Sequence, residues 1–179
     1  MPLTLHPLQT LTLLTHQIPA HNLVPNTSLQ HKPLLIYRAA FPPLTTAAQI
    51  ETHLRSTGVV EPAWRYSMYA TSHFHSTSHE VLAISRGGAR LLFGGEGNAG
   101  AVEVGVGEGD VVVVPAGVAH RLVEEREGGF EMVGCYPKGY SWDMCYGKRG
   151  EEAKIEKIRT LPWFERDPVY GDQGPVLDV

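Results

Sequence analysis

Three histidines and one glutamate are the side chains of this sequence whose types and spacing could do chemistry together. His73 and His75 are separated by one phenylalanine, Glu80 follows after four further residues, and His120 lies beyond a segment rich in glycine and valine. Imidazoles combined with a carboxylate bind divalent transition metals at sites that stay open to water or substrate. The pattern therefore predicts one such ion per chain. We favour Fe or Mn, and Ni, Zn, Cu and Co also fit these ligands.

Extended strands can bring the three histidines to one face. Alternate side chains of a strand point to the same side, so His73 and His75 can share one ion. The four consecutive valines at 111–114, followed by a proline and a glycine, predict a buried strand that ends in a turn. This strand and turn are expected to deliver His120 to the same place.

Glu80 is the less obvious fourth ligand. Strict alternation from His75 would favour His79 instead, because that residue has the same parity. The intervening Ser-Thr-Ser sequence at 76–78 is typical of a turn and interrupts the count. We therefore predict Glu80 as the ligand and keep His79 as the alternative.

These residues fall within two longer motifs, and on those motifs the chain resembles the cupin family. The first is Gly-x5-His-x-His-x4-Glu-x6-Gly, matched by His73, His75, Glu80 and Gly87, with Ser67 in place of the first glycine. The second is Gly-x5-Pro-x-Gly-x2-His-x3-Asn, matched by Gly109, Pro115, Gly117 and His120, with Glu124 in place of the asparagine. The resemblance implies an all-β fold with a single cupin unit, a double-stranded β-helix or jelly-roll barrel.

A narrower resemblance covers most of the chain from about residue 34 onward. The segments 73–82, 109–120, 136–137 and 167–175 are together similar to the YjlB-like family of small bacterial and fungal monocupins. The resemblance implies the fold and the metal site, but it names no reaction.

The sequence divides into three parts. Residues 1–63 are expected to form an N-terminal arm with a strand at 33–38 and one short helix at 45–55, which has a threonine for its N-cap and Gly58 after its end. Residues 64–136 contain short apolar segments punctuated by glycine, which predict the core barrel. Residues 137–179 are expected to wrap the barrel, with 151–159 either a helical turn or an exposed charged strand.

Composition excludes several other classes of protein. The net charge is −4 and there is no run of lysine or arginine, so nucleic acid is an unsuitable partner. The start lacks the pattern of a secretory signal and no apolar run reaches membrane-spanning length, so we expect a cytoplasmic protein with no membrane partner. Cys135 and Cys145 are then expected to remain thiols. Exposed edges of a small barrel favour a homodimer.

One glycine-rich segment matches the pattern of a dinucleotide-binding loop. The glycines of segment 95–100 match Gly-x-Gly-x-x-Gly, but an alternating apolar segment follows at 101–106. Dinucleotide binding requires a helix that begins at this loop. We therefore predict a hairpin loop.

Strand alternation also predicts the neighbours of the ion. Tyr69 and Thr71 share parity with His73, Leu82 and Ile84 with Glu80, and Leu122 and Glu124 with His120, whereas Phe74, Val81 and Arg121 should point away. The cavity should therefore be mainly apolar, as is usual for a small-molecule pocket. Glu124 and Tyr69 are the candidate catalytic groups for moving a proton.

An accessible metal favours a metal-dependent enzyme that acts on a small oxygenated organic substrate, most plausibly as a dioxygenase-type oxidoreductase. Isomerisation or decarboxylation by the same ion is a close variant. The alternative from another class is a non-catalytic cupin that binds a metal or a metabolite.

Overall fold

The computed structural model of the protein describes residues 3–179, with the backbone alone described at 127 and 128. Seven antiparallel strands form one sheet and two short helices accompany it, so the all-β prediction is confirmed. In chain order the elements are β1 (Leu13–His16), β2 (Leu34–Tyr37), α1 (Ala47–Thr57), β3 (Val60–Tyr66), β4 (Glu80–Phe93), β5 (Val102–Gly107), β6 (Val111–Val114), β7 (His120–Pro137) and α2 (Glu152–Lys157).

Strand β4 is the centre of the sheet. The order is β1-β2-β6-β4-β7-β3, and β5 pairs with β4 off this path. The first four residues of β4 pair with β6 and its last six pair with β5, while β7 follows the other edge along nearly the whole length. The segment 95–100 connects β4 to β5 as the loop of a hairpin, as predicted.

Alternation along β4 sorts apolar side chains into two cores. Leu82 and Ile84 face the interior of the barrel, where they pack with Val112 and Met132. Val81 and Ala83, of the opposite parity, face the outer core. That core also contains Val111 and Val113 of β6, Ile50 and Leu54 of α1, and Phe164 and Val176 of the C-terminal segment, which cover this face. Both faces of the strand are therefore buried, which explains its nearly continuous apolar sequence.

The helix predicted at 45–55 is present as α1. Thr46 is its N-cap and forms a capping box with Gln49, and Gly58 ends the helix with a left-handed backbone at φ 73°. The charged segment at 151–159, left open between helix and strand, contains α2.

The predicted three-part division does not follow the strands. Its boundary between 63 and 64 lies inside β3, and β2 of the N-terminal part pairs with β6 of the barrel. The N-terminal part therefore contributes strands to the sheet. The strands β1 and β3 lie at the two ends of the strand order, and the homodimer stays a prediction.

Two further expectations concern the cysteines and membrane-spanning segments. Cys135 and Cys145 are both free and buried. Within 3–179, no helix has the length and apolar character needed to cross a membrane.

A buried aspartate fastens the C-terminal segment to the sheet. Asp167 accepts a hydrogen bond of 2.8 Å from the Tyr37 hydroxyl of β2. Its carboxylate also accepts backbone N–H groups of Val169 at 2.8 Å, Tyr170 at 3.0 Å and Val176 at 3.4 Å. Burial raises the pKa of Asp167, and these hydrogen bonds oppose that rise. One side chain thus organises the turn that covers the outer core.

Replacing Asp167 by Ala should therefore destabilise the whole protein. The change leaves the Tyr37 hydroxyl and several backbone donors without a partner inside the protein, so we expect the free energy of unfolding to fall by about 3 kcal/mol. Urea unfolding followed by circular dichroism measures it. Asp172→Ala is the matched control, because Asp172 forms an exposed ion pair with Arg166 and its loss should cost less than about 0.5 kcal/mol. Equal effects of the two substitutions would contradict this account.

Candidate metal centre

The structure brings His73, His75 and His120 together. Their candidate ligand atoms all lie within 4.8 Å of one another, and all three side chains are buried. His73 and His120 face each other across an antiparallel bridge, in which each backbone N–H donates to the other residue's carbonyl at 3.2 and 2.9 Å. The pairing of the segment before β4 with the first residue of β7 therefore creates the cluster.

Backbone carbonyls set the orientation of all three imidazole rings. Each Nδ1 lies within hydrogen-bond distance of a carbonyl oxygen: His73 of Thr71 at 3.0 Å, His75 of Asp143 at 2.5 Å, and His120 of Val118 at 2.9 Å. A carbonyl oxygen can only accept, so each Nδ1 carries hydrogen. In the neutral rings the lone pairs are then on Nε2, the atom left free to bind an ion.

Glu80, the first residue of β4, adds a carboxylate to this cluster. Its Oε2 lies 3.4 Å from Nε2 of His75 and 3.2 Å from Nε2 of His120. Its Oε1 accepts a hydrogen bond of 2.8 Å from the Tyr136 hydroxyl. Oε2 is buried and has no partner of hydrogen-bond geometry among the described residues. It is therefore the oxygen that an ion could use.

The donor set fits a divalent transition metal. Lone pairs of imidazole and carboxylate face one another in a buried space, where a cation would offset their repulsion. The pKa shifts are consistent with this arrangement. Burial opposes the charged form of His75, but the Glu80 carboxylate outweighs it and raises the pKa of His75. Burial and the nearby His120 lower the pKa of His73 to about 4.

His79, the alternative ligand, faces a different part of the protein. Its Nδ1 accepts the backbone N–H of Ala116 at 2.9 Å, and its Nε2 lies 3.1 Å from the carbonyl of Pro162. Its ring packs edge-on against Trp163 with centroids 4.9 Å apart. Both nitrogens are occupied by the backbone, so Glu80 rather than His79 accompanies the three histidines.

A cavity of about 310 Å³ opens onto the cluster. Its walls include Leu82, as alternation predicted, and otherwise consist mainly of aromatic and methionine side chains. Tyr69 lies at its rim, with its ring 5.6 Å from the ring of His73 and its side chain exposed. Ile84 belongs to the interior core and is not among the residues that line the cavity. Thr71 contributes its backbone carbonyl to His73, as described above.

Glu124 corrects the sequence-based expectation. It lies outside the cavity, where its carboxylate accepts a hydrogen bond of 2.8 Å from Nε of Arg90. The cause is a register shift, because Arg90 pairs with Glu124 and the next residue, Leu91, pairs with Leu122. The extra residue in β7, Val123, reverses the alternation beyond Leu122. The expectation that Glu124 lines the cavity is therefore wrong.

Residues expected to point away from the cluster do so. Phe74 is buried in a separate apolar cluster with Cys145, and Val81 belongs to the outer core. Arg121 forms an ion pair of 2.5 Å with Glu96.

Sequence reasoning did not identify three aromatic residues around the site, Trp64, Tyr136 and Trp142. Tyr136 donates to Glu80 and accepts a hydrogen bond of 2.9 Å from the indole of Trp64. Burial, followed by the charge of Glu80, raises the pKa of Tyr136, so it remains a donor. The ring of Trp142 stacks on Tyr136 at 6.2 Å and 25° and lies 6.0 Å from the ring of His75. Parity along β7 would have identified Tyr136 had its register with β4 been known.

Comparisons with solved structures return globulins and oxalate decarboxylases at low similarity. The oxalate decarboxylase of Lactobacillus farciminis in its formate complex is 12% identical with a TM-score of 0.35, covering 80% of this chain and 33% of that one. The 7S globulin of Momordica charantia is 18% identical with a TM-score of 0.34, covering 57% of this chain and 29% of that one. The chain thus spans a third or less of either structure, and no functional argument rests on them.

Sequence comparisons are more specific. The family model described as cupin matches residues 65–135, which contain all four clustered side chains. The uncharacterized protein YjlB of Bacillus subtilis (strain 168) is 33% identical over 148 residues, which cover 82% of this chain and 85% of that protein. The chain therefore belongs to the YjlB-like family of cupins.

Proposed function

We propose that the protein is a metal-dependent enzyme acting on a small oxygenated organic molecule, with dioxygenase-type oxidation at Fe(II) or Mn(II) as the favoured reaction. The observation that carries the proposal is the convergence of three imidazole Nε2 atoms and one carboxylate oxygen at an open cavity. His73, His75, Glu80 and His120 would hold the ion. When bound, such an ion supplies a Lewis acid and, if it is redox-active, a centre for oxygen chemistry.

The chain's own residues have separable roles in this proposal. Carbonyls at Thr71, Asp143 and Val118 orient the imidazoles. Tyr136 holds Oε1 of Glu80 and leaves Oε2 facing the histidines. The aromatic walls limit the access of water to the bound substrate. Tyr69 is the remaining candidate for proton transfer, since its hydroxyl belongs to a side chain that lines the cavity beside His73.

A non-catalytic cupin that binds a metabolite is the second candidate. It is favoured by the chemistry of the cavity wall, because its described lining contains no carboxylate other than Glu80 and no histidine outside the cluster. Acid–base catalysis would have to use tyrosine hydroxyls or the substrate itself.

Isomerisation or decarboxylation at the same ion is the catalytic variant that needs no dioxygen.

Turnover separates these functions. Protein purified without chelators or a histidine tag should contain about one divalent ion per chain, measured by elemental analysis. We expect oxygen uptake with at least one member of a panel of diketones, enediols, catechols and carboxylates, and no uptake with His75→Ala. Product analysis of anaerobic reactions detects the isomerase or decarboxylase. Tight binding of a panel member without any conversion would favour the binding protein and refute the enzyme.

Removing one histidine should remove the ion without unfolding the protein. We expect His73→Ala, His75→Ala and His120→Ala each to weaken metal binding more than about 100-fold, since even residues that only support a ligand contribute 10–100-fold. The fold should persist because the two apolar cores supply most of the burial. Metal content and thermal unfolding are measured together.

His79→Ala is the matched control for these variants. It removes a buried imidazole that contacts backbone groups away from the cluster, so it should lower stability and leave metal content unchanged. Metal loss in His79→Ala equal to that in His75→Ala would overturn the choice of Glu80. Cooperative unfolding when the ion is removed from the wild-type protein would assign the ion a structural role.

The hydrogen bond from Tyr136 should strengthen metal binding through Glu80. Tyr136→Phe keeps the ring and removes the only described donor to Oε1, so we expect metal affinity to fall about 10–100-fold. Competition with a chromophoric chelator measures the affinity. Tyr140→Phe is the control, because Tyr140 is exposed and does not line the cavity. Unchanged affinity in Tyr136→Phe would show that Glu80 needs no support or does not bind the ion.

A further inference from the structure

We infer that the ligand of this cavity is a molecule with a flat apolar body, such as an aromatic ring, attached to one bidentate oxygen group that binds as a monoanion. The inference rests on the proposed metal centre and specifies its substrate class. Two independent features of the cavity carry it: the balance of charge at its base and the chemistry of its walls.

Charge limits the head group. A divalent ion beside the Glu80 carboxylate would leave one net positive charge in a buried space. The only lysine or arginine in the described lining is Arg65, and its guanidinium is already bound to Glu51 through two hydrogen bonds of 2.6 and 2.9 Å. A monoanionic chelating group makes the site neutral. A dianion such as oxalate leaves one negative charge that no uncommitted lysine or arginine of the described lining offsets, which is costly in a partly buried site.

The aromatic side chains of the cavity wall favour a ligand with a flat body. Trp142 is 44% exposed, and its ring lies nearly parallel to the ring of Tyr136, beside His75. Tyr66 and Tyr69 form a second aromatic pair, with ring centroids 5.7 Å apart. Both groups line the cavity, where such exposed ring surfaces can stack with a flat molecule.

The cavity wall offers few free hydrogen-bonding groups, which disfavours ligands whose body is strongly polar. The hydroxyl of Tyr136 already donates to Glu80 and accepts from Trp64. The other side-chain hydroxyls of the lining belong to Tyr66, Ser67 and Tyr69, and the rest of the lining is largely apolar. A sugar would lose many hydrogen bonds to water here and regain few. The cavity volume of about 310 Å³ lies at the lower end of the usual range of about 300–1,000 Å³, which suits a single ring with a short chelating group.

Hydroxamates provide a matched test on Zn²⁺-loaded protein, since zinc binds without redox turnover. Acetohydroxamate and benzohydroxamate share one chelating group and differ in the apolar body. Calorimetry should show benzohydroxamate binding at least about tenfold more tightly, which corresponds to about 1.4 kcal/mol. Each association constant for the protein is then divided by the association constant of the same probe for free Zn²⁺ in the same buffer. On this corrected scale, oxalate should bind more weakly than either hydroxamate.

Substitutions of Trp142 test whether the aromatic wall causes the preference for benzohydroxamate. Trp142→Ala should reduce the ratio of benzohydroxamate affinity to acetohydroxamate affinity, both measured on the same zinc-loaded variant, to less than about threefold, and Trp142→Phe should restore most of it. Tyr140→Ala, which removes an exposed aromatic outside this cavity, should change nothing.

The outcomes distinguish the two proposals. Protein that holds zinc but binds both hydroxamates equally, or prefers oxalate, overturns the substrate class and leaves the metal centre intact. A phenyl preference that persists in Trp142→Ala also overturns the inference as argued from this wall. Protein that holds no zinc overturns the metal centre and the substrate class together.

Discussion

The site depends on one electrostatic constraint: several groups that can only accept hydrogen bonds or metals are held together in a buried space. The Nδ1 atoms of the three histidines are committed to backbone carbonyls, so their Nε2 lone pairs must face inward. Oε2 of Glu80 faces two of them. Such an arrangement is unfavourable by itself and becomes favourable when a cation, or a proton between His75 and Glu80, is present. The raised pKa of His75 is a sign of the same constraint.

The fold can hold these groups together because its stability comes from elsewhere. The interior core and the outer core lie on opposite faces of β4, and the outer core is closed by α1 and the C-terminal segment around Asp167. Glu80 occupies the first position of that strand, where its neighbour Val81 faces the outer core. A slip of one residue would exchange the two and place a valine in the site. Apolar burial on both faces therefore fixes the position of the charge.

The amount that could be predicted from sequence depended on the range of the interactions. The spacing of His73, His75 and His120 identified a cluster that the structure assembles, because His73 and His75 share one short extended segment and His120 begins β7 directly after the predicted turn. Glu124 was misplaced because an extra residue in β7 reversed the alternation, and no local signal marks such a bulge. Tyr136 and Trp142 were missed because their places beside the cluster follow from the pairing of β7 with β4 and from the path of the segment after β7.

Tyr136 connects the two parts of the site that the sequence could not relate. Its hydroxyl holds Oε1 of Glu80, and its ring stacks against Trp142 at the cavity wall. Trp142 in turn lies against His75 and immediately precedes Asp143, whose carbonyl orients that histidine. The groups that face the ion and the groups that face the cavity are thus packed against one another rather than placed separately. Changes in the position of the aromatic wall are therefore transmitted directly to a carboxylate and an imidazole of the cluster, which couples the shape of the cavity to the geometry of the metal-binding groups.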